Sequence, residues 1–369
     1  MDTAETTMSN LRVVLIHDGR PAATQLARAL GDMFRVNSYP LGHPAISGKQ
    51  TDTVTIINVA GLTGRQSSLP GSGRCSGALF LLNDFAREER ELARELGAAA
   101  VLPESSPLDQ INHAIIKTAS ADYERGWEKL GAKEHKALRS SVESFGGLML
   151  AGRNGEPLPM EQIHSACEDI KDALDVSDVD RWLSALSGHH DGTYRHCMYV
   201  CGTLAFFGNE IGVRGSDMSD LTTGGFLHDV GKSMIPLAIL DKPGKLDPEE
   251  WKTMQGHPEH SREIMLREHD LDERIIKMAV HHHEKLDGTG YPDGLAGAQI
   301  DDLTRLTAIA DVYAALTEER AYKAAMPAEK AFDLMATFEG HLDQDLIRRF
   351  REFMLDSRRG ARSGMAMSA

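Results

Sequence analysis

The sequence predicts two domains of different class, an α/β domain at the N-terminus and an all-α domain at the C-terminus, joined by a helical connector. Three observations carry that prediction. Short β-branched apolar runs alternate with helically spaced segments in the first third of the chain. The second half is almost wholly helical in pattern, with no convincing alternating strand. A length of 369 residues suits two cores better than one.

In chain order, residues 1–10 are expected to be flexible, and Arg12 to His17 (RVVLIH) reads as a first strand. Pro21 to Leu30 then has helical spacing through Leu26, Ala27 and Leu30. Further strands are expected at Val54 to Val59, Ala78 to Leu82 and Ala98 to Leu102, with helices at Glu88 to Leu96 and Leu108 to Thr118. Such alternation implies a parallel sheet covered by helices. On these residues the region 11–120 resembles a response-regulator receiver domain. The positions that carry phosphoryl chemistry in that family are mostly replaced: the acidic pair after the first strand reads His17 and Asp18, the phosphoacceptor falls near Asn58, and the Lys-Pro after the fifth strand reads Leu102-Pro103. A degenerate receiver used for contacts follows, without Mg²⁺ or an aspartyl phosphate. Ala60 to Gly77, rich in Gly and Ser, is expected to be a loop where a receiver has a helix.

The connector is placed at 121–153, where Tyr123, Trp127, Leu130, Leu138, Val142, Phe145 and Met149 recur mostly in steps of three and four. Glu134 interrupts the stripe and four glycines weaken the helix, so a short broken helix is expected rather than a long coiled coil. Its apolar face suits packing on its own domain and a dimer seam equally. Asn154 to Pro159 reads as a turn and opens the second domain, 154–355. Residues 356–369, rich in Arg, Gly, Ser and Met, are expected to form a mobile tail.

Composition narrows the function. With 41% hydrophobic and 26% charged residues, and no apolar run of about 18 residues, no membrane span is expected. The first ten residues lack the basic and apolar regions of a signal peptide, which places the chain in the cytoplasm. A net charge of −15 argues against binding a nucleic-acid polymer, while a small anion still fits a locally positive pocket. Cys75, Cys167, Cys197 and Cys201 form no Cys-x-x-Cys pair and read as buried small hydrophobes, Cys197 and Cys201 as core packing beside His196.

Chemistry gathers in the helical half. His196, the pair His228-Asp229, His257, the run His281-His282-His283 and Asp311 stand in segments otherwise rich in Leu, Ile, Ala and Met. One such histidine alone would be structural. Together, neutral imidazoles around a carboxylate that can hold two cations are better explained by metal, and the absence of thiolate favours iron or manganese over structural zinc. Asp247-Pro248-Glu249-Glu250 reads as an N-cap, first-turn proline and N3 glutamate that start a helix leading to His257. The segment Asp287 to Gly294 (DGTGYPDG) can turn tightly and let backbone approach a ligand.

Several ordered motifs, LHDVGKSMIP at Leu227, ILDKPGKLDPEEWKTMQGHP at Ile239, HHEKLDGTGYPDGL at His282 and IADVYAALTEERAYK at Ile309, make the segment from about Asp180 to Leu355 resemble an HD-GYP domain of the HD superfamily. The resemblance implies a cyclic di-GMP phosphodiesterase that releases linear pGpG, with further cleavage to GMP left open. It implies two divalent cations per chain, Fe or Mn, held by His196, His228, Asp229, His257, His282, His283 and Asp311, with His281 as the spare member of its run. Asp229 would bridge the two cations and help generate the attacking water, and Lys232 would meet a phosphate oxygen or assist the leaving 3′-oxygen. Tyr291 would contact a guanine face, and Arg320 and Lys323 the dinucleotide, with Tyr322 packing between them. Two departures are visible. Gly192 stands where members with a third metal carry a glutamate, with Asp191 next to it, and Ala314 replaces a second aspartate near Lys232. Alternatives kept open are a metal-containing sensor or interaction module, and a hydrolase of another cyclic dinucleotide. Partners kept open are a diguanylate cyclase or other signalling protein, and a homodimer.

Overall fold

The computed structural model describes residues 12–31, 34–43, 53–65, 68–69, 75, 77–127, 130–174, 179–187, 192–240, 242, 244–318 and 325–366. The chain divides into two compact units, 1–125 and 126–369.

In the first unit five parallel strands run in the order β2-β1-β3-β4-β5: β1 Arg12–His17, β2 Arg35–Pro40, β3 Thr53–Val59, β4 Leu79–Leu82 and β5 Ala100–Pro103. This order, with its switch point between β1 and β3, is that of a doubly wound sheet and fits the receiver-like expectation. Four of the five strands fall on the expected runs. The fifth, β2 (RVNSYP), has no apolar run because it is a largely exposed edge paired only with β1, with Arg12 opposite Arg35. Helices α1 Pro21–Gly31, α2 Arg87–Glu95 and α3 Leu108–Trp127 complete the unit's pattern. Ile16, Ile57, Val59, Phe80, Leu82 and Ala93 close the core, where each large side chain contributes about 1.5–3 kcal/mol. Among the described residues of 60–77 no α-helix forms, in line with the loop expected there.

At the carboxyl ends of the strands, Arg20 closes an acidic cluster. Its guanidinium donates to both oxygens of Asp18 (2.9 and 3.0 Å), to Glu104 Oε2 (2.7 Å) and to Asn58 Oδ1 (3.1 Å). Asp18 also accepts the Ala60 N–H, and Glu104 accepts from Asn83. Burial works against ionisation of Asp18, but these bonds and the guanidinium hold its carboxyl below the ordinary range.

The second unit is helical: α4 Ala132–Asn154, α5 Met160–Leu174, α6 Val179–Leu186, α7 Gly192–Glu210, α8 Gly215–Leu227, α9 Leu237–Leu240, α10 Pro248–Met254, α11 His257–Met265, α12 Glu273–His281, α13 Asp302–Thr317, α14 Ala328–Met335 and α15 Gln344–Ala366. A 3₁₀ turn, Val230–Met234, follows α8. None of the described helices is long and apolar enough to cross a membrane.

The segment expected to connect the domains is divided in the structure. α3 runs on to Trp127, whose indole donates to Ala185 O, and α4 packs on α5, on α7 and on the 3₁₀ turn. Leu138, Val142, Phe145 and Met149 are therefore core of the second unit. Glu134 does not interrupt that helix. It starts it, accepting the Gly131 N–H at 2.7 Å and pairing with Arg181. Gly155, at φ +69°, ends it in the left-handed conformation that glycine adopts without strain. At the other end, the tail expected to be mobile from residue 356 continues α15 to Ala366, because Arg, Ala and Met favour helix strongly enough to carry it past two glycines.

Candidate metal centre

Five helices and a turn bring the predicted ligands together. α7 supplies His196, the end of α8 supplies His228 and the start of the 3₁₀ turn Asp229, α11 begins with His257, His282 and His283 follow directly on α12, and Asp311 lies in the middle of α13. The capping box at Asp247 is present, its carboxylate accepting from Glu249 and Glu250, so α10 starts where the sequence indicated and turns into α11. Gly231 permits the closest approach. A Cβ there would overlap His257 O and the backbone of Ser261, so only glycine lets the 3₁₀ turn lie against α11.

Asp229 sits at the centre, 1% exposed. Its Oδ2 lies 3.2 Å from His228 Nε2 and 3.7 Å from His196 Nε2, whereas its Oδ1 lies 3.3 Å from His257 Nε2 and 3.9 Å from His282 Nε2. Around it two sets of potential ligand atoms each gather within 4.8 Å: His196, His228 and Asp311 on one side, His257, His282 and His283 on the other. All seven ligands expected from the resemblance are in this cluster.

The imidazoles are oriented for cations. His228, His257 and His282 each place Nδ1 at 2.8–2.9 Å from the carbonyl three residues earlier, those of Gly225, Met254 and Ala279. A carbonyl only accepts, so each Nδ1 carries the proton and each Nε2 presents a lone pair to the centre. Two such lone pairs, on His257 and His282, face each other at 3.4 Å. Among the described residues, His228 Nε2 and Asp229 Oδ1 are buried without a hydrogen-bond partner. Buried acceptors that converge and remain unsatisfied repel one another unless positive charge stands among them, so the donor set fits divalent cations.

Titration properties agree. Burial pushes His257 down to about 3 and His282 to about 4, and lowers His283 as well, so all three are neutral donors at pH 7. Burial disfavours ionised Asp229, but Lys232, His228 and His257 beside it hold its carboxyl well below the usual range. Lys232 Nζ meets Asp229 Oδ2 at 2.5 Å. Its pKa is raised, burial being outweighed by Asp229 and Asp311.

The other predicted residues separate into three groups. His281 bonds Asp293 at 2.9 Å and lies outside the two sets of converging ligand atoms. Tyr291 stacks on His283, ring centroids 4.9 Å apart, at the rim of the centre. Arg320, Tyr322, Lys323 and Asp191 lie outside the described residues. All four cysteines are buried and in no disulfide, and Cys197 also borders the centre, its Sγ within 4.8 Å of ligand atoms of His228 and Asp229.

Two carboxylates escaped the sequence reading. Glu284 accepts the N–H groups of Asp293, Gly294 and Leu295 at 2.7–3.0 Å and ties the glycine-rich loop to the end of α12. Glu318 accepts from His196 Nδ1 at 2.9 Å. The available signals were a glutamate directly after the histidine run, and one seven residues beyond Asp311 on the same helix face.

Fold and site define a class: helical domains whose His-Asp pair anchors a cation centre. Comparison with known proteins agrees. An HD domain family profile matches residues 180–346. A cyclic di-GMP phosphodiesterase of Pseudomonas aeruginosa is 37% identical over 168 residues, 46% of this chain and 41% of that protein. A 3′3′-cGAMP-specific phosphodiesterase of Vibrio cholerae is 42% identical over 195 residues, 51% of this chain and 37% of that protein. The match to both thus spans less than half the relative's length. The cyclic di-GMP phosphodiesterase response regulator RpfG of Xanthomonas campestris is 35% identical over 90% of this chain and 84% of its own. Among solved structures, an HDG"Y"P protein from Bdellovibrio bacteriovorus matches the fold with a TM-score of 0.50 at 18% identity, covering 67% of this chain and 81% of that one. The chain belongs to the HD-GYP family of HD-domain proteins.

Proposed function

We propose that the chain hydrolyses cyclic di-GMP to linear pGpG, with GMP as the onward product, using two divalent cations, Fe²⁺ or Mn²⁺, in bacterial second-messenger signalling in the cytoplasm. The observation that carries this proposal is the division of Asp229: one carboxylate oxygen faces His196 and His228, the other His257 and His282. His196, His228 and Asp311 would hold one cation and His257, His282 and His283 the other, with Asp229 shared. Bound cations supply positive charge at the scissile phosphate and acidify a water for in-line attack.

The chain's own groups supply the rest. Asp229 stays ionised and the three depressed imidazoles stay neutral, so binding a cation displaces no proton from them at pH 7. Lys232 places an ammonium beside Asp229, where it would donate to a phosphate oxygen or to the departing 3′-oxygen. Tyr291 would meet a guanine face, and Arg320 and Lys323 would bind the dinucleotide as a fork and a point charge. The N-terminal unit would serve as a regulatory or docking domain, with a diguanylate cyclase or a second copy of the chain as its partner.

Relatives named for cyclic di-GMP support the substrate. The relatives from V. cholerae named for 3′3′-cGAMP favour a second reading, hydrolysis of that dinucleotide. Product analysis decides between them: both dinucleotides are incubated with protein reconstituted anaerobically with Fe²⁺ or Mn²⁺, beside a His228→Ala/Asp229→Ala control. The expected result is pGpG or GMP from cyclic di-GMP, lost in the control. Turnover of 3′3′-cGAMP alone would transfer the activity to the second reading. Binding without product at full metal occupancy would make the chain a sensor.

A further inference from the structure

His196 differs from the other three imidazoles whose Nδ1 partners are defined. His228, His257 and His282 sit at helix ends and give their Nδ1 protons to main-chain carbonyls three residues earlier. His196 sits within α7, where carbonyls one turn back are engaged in the helix, and its Nδ1 instead meets Glu318 Oε2 at 2.9 Å. The same ring places Nε2 2.9 Å from Asp311 Oδ1. Asp311 and Glu318 are seven residues apart, two turns of α13 and its C-cap, so one helix face grips both nitrogens of one imidazole. Glu318 is itself buried, its side chain 2% exposed, with Arg195 Nε 3.4 Å from its second oxygen. A carboxylate is an expensive group to bury for packing alone.

We propose that Glu318 is a positioning residue for the cation centre. It accepts from the Nδ1–H of His196, which leaves Nε2, 2.9 Å from Asp311 Oδ1, as the nitrogen that a cation shared with Asp311 would meet, and its charge would make that nitrogen a stronger donor. Sequence outside the histidine motifs therefore sets the affinity of one cation, the one held by His196, His228 and Asp311, and leaves the other largely unaffected. The proposal rests on the reading of a two-cation centre.

The test is Mn²⁺ binding to the full-length apo protein, read by competition with a chelating indicator and by electron paramagnetic resonance, in wild type, Glu318→Gln and Glu318→Ala. Wild type is expected to take two tight Mn²⁺ with a spin-coupled signal. Glu318→Gln keeps an acceptor for Nδ1–H but loses the charge, and weakens one site about tenfold; Glu318→Ala loses both and weakens it up to about a hundredfold, giving the spectrum of an isolated ion. The glutamine variant decides the matter if the alanine variant does not fold. Wild-type affinity at both sites in either folded variant would overturn the role of Glu318. Absence of tight Mn²⁺ in wild type would instead overturn the two-cation reading.

Discussion

Two acidic clusters in this chain, one half-buried and one buried, meet the same electrostatic problem in different ways. In the α/β unit, Asp18, Glu104 and Asn58 converge at the carboxyl ends of the strands, and the chain's own Arg20 forks into all three. In the helical unit, Asp229 and Asp311 converge with five imidazoles, and among the described residues Lys232 meets Asp229 while Asp229 Oδ1 and His228 Nε2 have no hydrogen-bond partner. A buried carboxylate needs positive charge. In the first cluster an arginine supplies the charge in fixed geometry; in the second, imidazole nitrogens converge on the carboxylate and leave room for charge from solution. The difference separates a receiver-like domain that keeps its shape from a centre built to be loaded.

The comparison is broken most severely at Lys232. Lys232→Met removes the ammonium that meets Asp229 Oδ2 and should lower product formation about 10²–10³-fold, as loss of a preorganised charge does, while two metals per chain are retained. Loss of metal together with activity would give the lysine a different role.

Acid sharpens the contrast on a second axis. His257 and His282 titrate near 3 and 4 in the folded apo protein but near the ordinary 6.5 when unfolded. Below pH 6.5 the unfolded chain therefore binds more protons, and stability present above 6.5 is lost progressively as the pH falls toward 3–4. Urea denaturation of the metal-free protein at pH 7.5, 6 and 5 should show a falling midpoint; a flat profile would mean that these imidazoles are hydrated.

Arg20→Ala leaves Asp18 and Glu104 without their fork and should cost about 1–3 kcal/mol, seen as faster amide exchange in β1 and β3, with metal content at Asp229 unchanged. Arg20→Lys should recover only part of this, because an ammonium cannot bond three acceptors in one plane. The smallest effect is expected from acetyl phosphate. With Asn58 at the phosphoacceptor position, no stable phosphorylation of the N-terminal unit should be detected by mass spectrometry, and a labelled aspartate there would revive receiver chemistry.

Much of this was legible in the sequence, for identifiable reasons. β1, β3 and β4 are apolar runs because they are buried, and all seven proposed ligands stand out because histidines and aspartates interrupt apolar helices. β2 was illegible because an exposed edge strand needs no apolar residues. The stripe from Leu138 to Met149 was seen, but its partner α5 could not be, since periodicity shows that a helix has a buried face without showing what covers it. Glu284 is illegible because its partners are main-chain N–H groups of the glycine-rich loop, which residue type does not reveal, and Glu318 because its partner His196 lies 122 residues away. Arg20 looked like an ordinary loop residue for the same reason, with Glu104 lying 84 residues away.

The central claim is that Asp229 stands between two sets of donors open to cations, and metal content per chain tests it most directly. Wild type and Asp229→Asn are reconstituted with Mn²⁺ anaerobically, desalted and analysed by inductively coupled plasma mass spectrometry. Two ions per chain in wild type, falling to one or none in the variant, is the predicted result. A wild type that retains no metal, or a folded variant that retains two, would contradict it.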